Sequence, residues 1–215
     1  MNQWTVIVPS GGVGSRMGSD RPKQYLILNE KPLLIHTLLA LDSHFNRPKF
    51  IVPLAETWRE YLTPFLEDLP LKQRLLFVES GKERYDSVKN ALPYLETAWV
   101  AVHDAVRPFV SLETTNRLIE AIAHHPAAIP VLAMKESLRK RNERGSEAVD
   151  RSVYMSVQTP QCFHASVLVQ AYAQPFDALL TDDASLVERV GIPIQCVLGN
   201  EENIKITTPT DWLIA

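Results

Sequence analysis

Cysteine is scarce in this 215-residue chain: Cys162 and Cys196 are the only two, and they show no Cys-x-x-Cys spacing. A disulfide-built framework is thereby excluded, and both thiols read as small apolar packing. Long apolar runs are missing as well. Nothing approaches the ~18 consecutive apolar residues of a membrane span, and Met1 to Pro9 lacks the basic flank, apolar stretch and cleavage site of a signal peptide. The expected location is cytoplasmic, with no membrane partner. No sign of charge dominates, with Lys+Arg 22 against Asp+Glu 25 and a formal net charge of -3. That excludes a polybasic nucleic-acid binder and leaves room for an anionic ligand in a local cationic pocket. No internal repeat or low-complexity linker interrupts residues 1–215, which read as one domain. With 46% hydrophobic residues the chain can build a core, and disorder is excluded as its main state.

Only eight glycines are present, and four of them lie between Gly11 and Gly18. They follow the β-branched run Trp4-Thr5-Val6-Ile7-Val8, so a buried strand feeds a glycine loop. Further short apolar runs at Phe50–Val52, Leu75–Val78 and Trp99–Val102 alternate with helix-like stretches. Those stretches are Pro32–Leu41, Thr57–Leu66, Glu83–Leu92 and the segment after Ser111, with Leu118, Ile119 and Ile122 on one face. The alternation predicts a mainly parallel α/β sheet flanked by helices. Between about 135 and 156 the pattern breaks: Lys135 to Arg144 is highly charged and nearly devoid of apolar residues. Such a run is either a solvated loop or a hairpin arm projecting from the core. Afterwards helices near Ala165–Ala173 and Asp182–Val190 and a strand at Ile194–Leu198 resume the α/β order.

The glycine loop departs from both standard phosphate motifs. Met17 stands where a dinucleotide fingerprint starting at Gly12 needs glycine, and no Gly-Lys-Ser/Thr occurs. Instead Arg16, Arg21 and Lys23 follow the loop, cations suited to a triphosphate and to the charge that develops in phosphoryl transfer. The sequence His103-Asp104-Ala105-Val106-Arg107-Pro108 ends a strand, where open α/β sheets bind ligands. There Asp104 suits Mg²⁺ beside a nucleotide. Arg107 suits either a phosphate or a bracing pair with Asp104, and His103 reads as a packed strand-end histidine. At Thr181-Asp182-Asp183-Ala184-Ser185 a helix start is expected, with Thr181 as its cap. Lys205 lies on a strand-like stretch, and His124-His125 is a solvated pair.

Taken together, Gly12–Met17 with Pro22–Tyr25, Gly81–Arg84 with Ser87-Val88, His103–Pro108, Val149–Arg151, Gln158–Gln161, Thr181–Glu188 and Asn203–Thr207 carry a resemblance. The chain resembles the 2-C-methyl-D-erythritol 4-phosphate cytidylyltransferases of the non-mevalonate isoprenoid pathway, from Val8 to Asp211. The resemblance implies a Rossmann-like nucleotidyltransferase with a protruding β-arm, a homodimer with interlocked arms, CTP and Mg²⁺ as nucleotide and cofactor, and a polyol phosphate acceptor. It implies that Arg16, Lys23 and Lys205 surround the α-phosphate. Gly81 and Ser87, with the backbone near Gly11, would read cytosine and ribose, and Gly12, Gly14 and Ala105 would complete the nucleotide site. Asp104, the metal candidate, and Arg107 would stand at the junction with the acceptor phosphate. Ser137 and Arg151 of the partner's arm, with Thr159, would bind the acceptor.

Three segments depart from the family pattern. Ser10-Gly11-Gly12 replaces the common Ala-Ala-Gly, Lys82 replaces an acid after Gly81, and Glu136-Ser137-Leu138-Arg139 replaces Asp-Thr-x-Lys. The nearest alternative is a ribitol-5-phosphate cytidylyltransferase, towards which Val106 leans. Thr181–Glu188 leans more strongly to the methylerythritol enzyme. A non-catalytic nucleotide-binding regulator would not need three cations converging on one phosphate.

Overall fold

The structure is a computed structural model that describes residues 4–12, 21–177 and 179–215. Its centre is an eight-stranded sheet. Strand β1 (Trp4–Ile7) lies in the middle and pairs in parallel with β4 (Lys49–Leu54) on one side and β6 (Trp99–Val102) on the other. Outside β4 runs β5 (Leu75–Glu79), again parallel. Beyond β6 the order changes. Strand β11 (Gln161–His164) runs antiparallel between β6 and β7 (Ala127–Ala133). Both β10 (Met155–Val157), antiparallel, and β12 (Gln195–Leu198), parallel, also pair with β7. Two small hairpins stand apart: β2 (Ile27–Leu28) with β3 (Lys31–Pro32), and β8 (Arg139–Asn142) with β9 (Gly145–Ala148).

The central strands are buried on both faces, which is why they read as continuous apolar runs. Successive residues face opposite ways. Val6 packs with α1 (Leu33–His44), α2 (Glu56–Leu66) and α4 (Leu112–Ile122) through Leu34, Leu38, Leu62, Leu118 and Ile122. Ile7 packs with α3 (Arg84–Ala91), α5 (Ala165–Tyr172) and α6 (Asp183–Arg189) through Val88, Leu168, Ala171 and Leu186. A last helix, α7 (Pro209–Ile214), brings Trp212 against Leu33, Val106 and Ile206. The expected α/β architecture is therefore present, with helices in two layers around a mostly parallel centre.

The charged excursion is a hairpin arm and not a structureless loop, since β8 and β9 pair from Arg139↔Ala148 to Asn142↔Gly145. Every residue of both strands is exposed. Three local expectations are corrected. Asp182, and not Thr181, caps α6: its carboxylate accepts the Ser185 N–H at 3.0 Å, because a carboxylate one residue closer to the first turn reaches that donor. The stretch Asn203–Thr207 joins no strand; it is held by the bond from the Ile206 N–H to the Val106 carbonyl (3.0 Å), by bonds of Asn203 with Arg107 and Thr159, and by the burial of Ile206. Of the two thiols only Cys162 is buried, while Cys196 is exposed on β12.

Candidate active site

Strand order reverses between β1 and β6: β4 and β5 lie to one side of β1, β6 to the other. The loops leaving their carboxyl ends therefore part, and a crevice opens between them, as at the switch point of any open α/β sheet. That crevice is a cavity of about 430 Å³. Its walls include Gly11, Gly12, Lys23, Gly81, Ser87, Asp104, Ala105 and Lys205. Eight residues assigned to the nucleotide side from sequence thus share one space. Arg16 and Gly14 lie outside the described residues.

The β1 loop is tied down by residues that the sequence reading passed over. Gln24 Nε2 donates to the Ser10 carbonyl (2.7 Å) and the Gly12 carbonyl (2.8 Å), and the buried Tyr25 hydroxyl also donates to Ser10 (2.7 Å). With those carbonyls engaged, the loop cannot turn them towards a phosphate chain. Gly11 is required by close packing, since a β-carbon there would sit 2.3 Å from Ser80 Cβ. Among the described residues, a β-carbon at Gly12 would meet nothing within 4 Å. Across the crevice the Gly81 N–H donates to Ser87 Oγ (3.1 Å), and that hydroxyl donates to the Glu83 carbonyl (3.1 Å). Arg21, in contrast, donates to the Tyr61 hydroxyl (2.9 Å) and lies over its ring.

Asp104, on the loop after β6, is the electrostatic centre. Its Oδ2 lies 3.0 Å from Lys205 Nζ and 3.2 Å from Arg107 Nε, and its Oδ1 lies 3.4 Å from Arg84 Nε. Burial alone would raise its pKa, but Arg84, Lys205 and Arg107 outweigh burial and hold the carboxyl well below the usual carboxylate range. Arg107 braces the loop as well, since its Nη1 donates to the Asn203 carbonyl at 2.6 Å. The bracing reading of Arg107 is thus the observed one, and the residue also lines a neighbouring cavity of about 310 Å³ with Thr159, Thr181 and Lys205.

His103 is the packed histidine expected. Burial is the main reason that its pKa falls to about 4. Its Nε2 lies 2.9 Å from the Arg107 carbonyl, which can only accept, so the ring proton belongs there. Nδ1 is then an acceptor and takes the Thr159 hydroxyl hydrogen at 3.1 Å. Thr159 Oγ1 in turn accepts the Asp104 N–H at 3.1 Å. The single hydroxyl hydrogen of Thr159 is therefore committed inside the protein.

The residues fit Mg²⁺ in one form only. Among the described residues no group of three or more His, Cys, Asp or Glu is placed to hold a metal ion. A lone carboxylate facing three cations makes no independent metal site. It does fit an ion that arrives on a triphosphate, because Mg²⁺ keeps its waters and is commonly held by one or two carboxylates plus phosphate oxygens. Ser137 and Arg151 reach neither cavity; both are exposed, and Arg151 donates to the Lys135 carbonyl. Arg84 and Asp183 carried too weak a signal to single out. Two successive acids at a helix start, where one cap suffices, were the trace of the second.

Comparison with known proteins gives the family. A profile of the IspD: 2-C-methyl-D-erythritol 4-phosphate cytidylyltransferase family matches residues 4–215. A relative of that name from Bacteroides thetaiotaomicron is 44% identical over 211 residues, covering 98% of this chain and 96% of the relative. Another from Bacillus cereus is 39% identical over 217 residues, covering 99% and 96%. Among solved structures, the 2-C-methyl-D-erythritol 4-phosphate cytidylyltransferase of Thermus thermophilus superposes with a TM-score of 0.78 at 30% identity, covering 100% of this chain and 97% of that one. The bifunctional IspDF of Campylobacter jejuni gives 0.83 at 27% identity; it covers 97% of this chain, which spans 53% of the bifunctional protein. On these matches the chain belongs to the 2-C-methyl-D-erythritol 4-phosphate cytidylyltransferase family.

Proposed function

We infer that the chain transfers CMP from CTP to 2-C-methyl-D-erythritol 4-phosphate and releases pyrophosphate, a step of isoprenoid biosynthesis. Besides family membership, one observation carries this reading. Lys23 and Lys205 line the same crevice as the pinned glycine loop and the Gly81–Ser87 corner. In the transfer, an acceptor phosphate oxygen forms a bond to the α-phosphorus. The bond from that phosphorus to the oxygen bridging to the β-phosphate breaks, and pyrophosphate leaves with the electron pair. Negative charge peaks on the α-phosphoryl oxygens, where Lys23, Lys205 and Arg16 are proposed to act. Mg²⁺, held by the triphosphate and Asp104, would neutralise phosphate oxygens. Asp104 keeps Lys205 and Arg107 on either side of the line between nucleotide and acceptor.

The acceptor belongs in the adjoining cavity, towards Arg107. Ser137 and Arg151 fit this reading only from a partner subunit, because within one chain neither lines that cavity. A two-fold dimer through the arm is supported by the apolar surface that follows it. Val153, Tyr154, Met155 and Val157 are exposed, as is Leu198 on β12. Val157 and Leu198 both sit opposite Val131 in register, so they extend one row across the sheet. Such a row is costly in water and suits a second copy. The test is pyrophosphate release from CTP with a panel of polyol phosphates. Turnover with the methylerythritol phosphate alone is expected. Preference for ribitol 5-phosphate, or equal use of ATP, would overturn the assignment.

A further inference from the structure

Arg84 takes no part in the chemistry above, yet its guanidinium touches two carboxylates at once. Its Nε lies 3.4 Å from Asp104 Oδ1, and its Nη2 lies 2.7 Å from Asp183 Oδ2. Behind it, the Tyr172 hydroxyl donates to Asp183 Oδ1 at 2.5 Å. Asp183 is fully buried and Tyr172 nearly so. We propose that Arg84 is a positioning residue for the transfer: gripped from behind by Asp183 and Tyr172, it fixes the orientation of the Asp104 carboxylate while Lys205 turns to the phosphate.

The argument runs through three helix ends. Arg84 opens α3, after a capping box in which the Glu83 N–H donates to Asp86 Oδ2 at 3.1 Å. Asp183 opens α6, and Tyr172 closes α5. The start of α6 is itself fixed to β11, because Gln161 Nε2 donates to Asp182 Oδ2 (2.7 Å) and its Oε1 accepts the Ala184 N–H (3.0 Å). Arg84 is thus anchored at its backbone and at its tip. Lys205 is not anchored so: its side chain is 42% exposed, against 29% for Arg84 and 12% for Arg107. A flexible point charge can leave Asp104 for an incoming phosphate, whereas a planar fork held on two sides stays. When Lys205 leaves, Oδ2 keeps Arg107 and Oδ1 keeps Arg84. The carboxylate then cannot rotate, and rotation is what would release Arg107 from its place beside the acceptor. Asp183 is accordingly more than part of a helix start. It is a buried counter-charge whose charge partner among the described residues, Arg84, reaches into the crevice.

This proposal rests on the cytidylyl-transfer reading. Tyr172→Phe removes only the anchoring hydroxyl, and Arg84→Lys keeps the charge but cannot span both acids. Each is expected to lower kcat about 10–100-fold with the CTP KM within about twofold, the effect of misplacing a group near the chemistry. The double variant should lose no more than Arg84→Lys, since Tyr172 acts through Arg84. Thermal melting measured alongside separates a scaffold from a positioning device: lower melting with unchanged kcat in both variants overturns the proposal, as does additive loss in the double variant. Should Arg84→Lys fail to fold, Tyr172→Phe decides by the same criterion. A wild type that releases no pyrophosphate defeats the functional reading instead. In that case crystal structures of wild type and Tyr172→Phe still read the Asp104 carboxylate directly. A turned carboxylate supports the positioning role, and an unchanged one overturns it.

Discussion

In the crevice, Asp104 meets three cations, and the carbonyls of the β1 loop meet Gln24 and Tyr25. Along β8 and β9 every residue is exposed, and the apolar residues after the hairpin face solvent as well. One region satisfies its own polar groups; the other is folded locally, and it is joined to the body at its base, where Lys135 pairs with Glu201 and β10 pairs with β7. On the function proposed above, the nucleotide half of the site lies within one subunit. The acceptor half is proposed to draw Ser137 and Arg151 from a second subunit.

The contrast breaks most sharply at Lys23. Lys23→Ala should lower kcat by about 10²–10³, on the order of 3–4 kcal/mol, with a smaller change in the KM for CTP. Steady-state kinetics at saturating acceptor measure this, and a change confined to KM would place Lys23 in ground-state binding.

Next in size is the response to acid. The folded state holds His103 at a pKa of about 4, burial being the main cause, whereas an unfolded chain titrates near 6.5. Between these values only the unfolded state takes up the proton. Stability is thus full above about pH 6.5 and falls as the pH drops towards 4, by on the order of 3 kcal/mol. The Asp104 contribution has the same sign but starts lower, because its depressed pKa matters only below about pH 4. Urea unfolding at pH 7 and pH 4.5 gives the difference. His103→Gln, which still reaches the Arg107 carbonyl, should flatten it, and an unchanged slope would assign the acid sensitivity elsewhere.

Adjacent glycines sharpen the comparison within the crevice. Gly11→Ala should destabilise by about 1–3 kcal/mol, because its β-carbon meets Ser80 Cβ at 2.3 Å. Gly12→Ala meets none of the described residues and should match wild type in melting temperature. Equal effects at the two positions would mean that the Ser80 contact does not set the loop.

The arm gives the smallest effect and the most distinctive one. Arg151→Ala should raise the KM for the acceptor about tenfold, the loss expected for one charge-assisted contact. Lys140→Ala, on the exposed hairpin, should change nothing. Mixing Arg151→Ala chains with Lys23→Ala chains should raise activity several-fold above the sum of the parts, through heterodimers with one intact site. No gain on mixing would place Arg151 in its own subunit's site.

Much of this was legible in the sequence. Continuous apolar runs announced the doubly covered strands, and the glycine loop after β1 with the strand-end Asp104 marked both walls of the crevice. The charged run from Lys135 was ambiguous because an exposed hairpin and a solvated loop share one composition. What stayed hidden was long-range. Asp183 looked like helix-start decoration because its partner, Arg84, lies 99 positions away. Gln24 and Tyr25 followed a cation-rich stretch that drew attention to charge, although their work is to hold carbonyls. Thr181 was misread as the cap because two acids beside it offered the same chemistry one residue later.

The thread order of β11 has a consequence for assembly. β11 arises after β7 yet inserts between it and β6. Asp104 receives its backbone partner from a residue 55 positions downstream, and Arg107 receives its carbonyl partner from one 96 positions downstream. Loops of that span close late, since their ends must be brought together before any contact rewards the closure. During synthesis the first strands and helices can pack while Asp104 still lacks the lysine and the carbonyl that fix its loop. A chain that still lacks Thr159, Asn203 and Lys205 therefore lacks the contacts that fix Asp104 and Arg107, and the order of the crevice waits for the last quarter of the polypeptide.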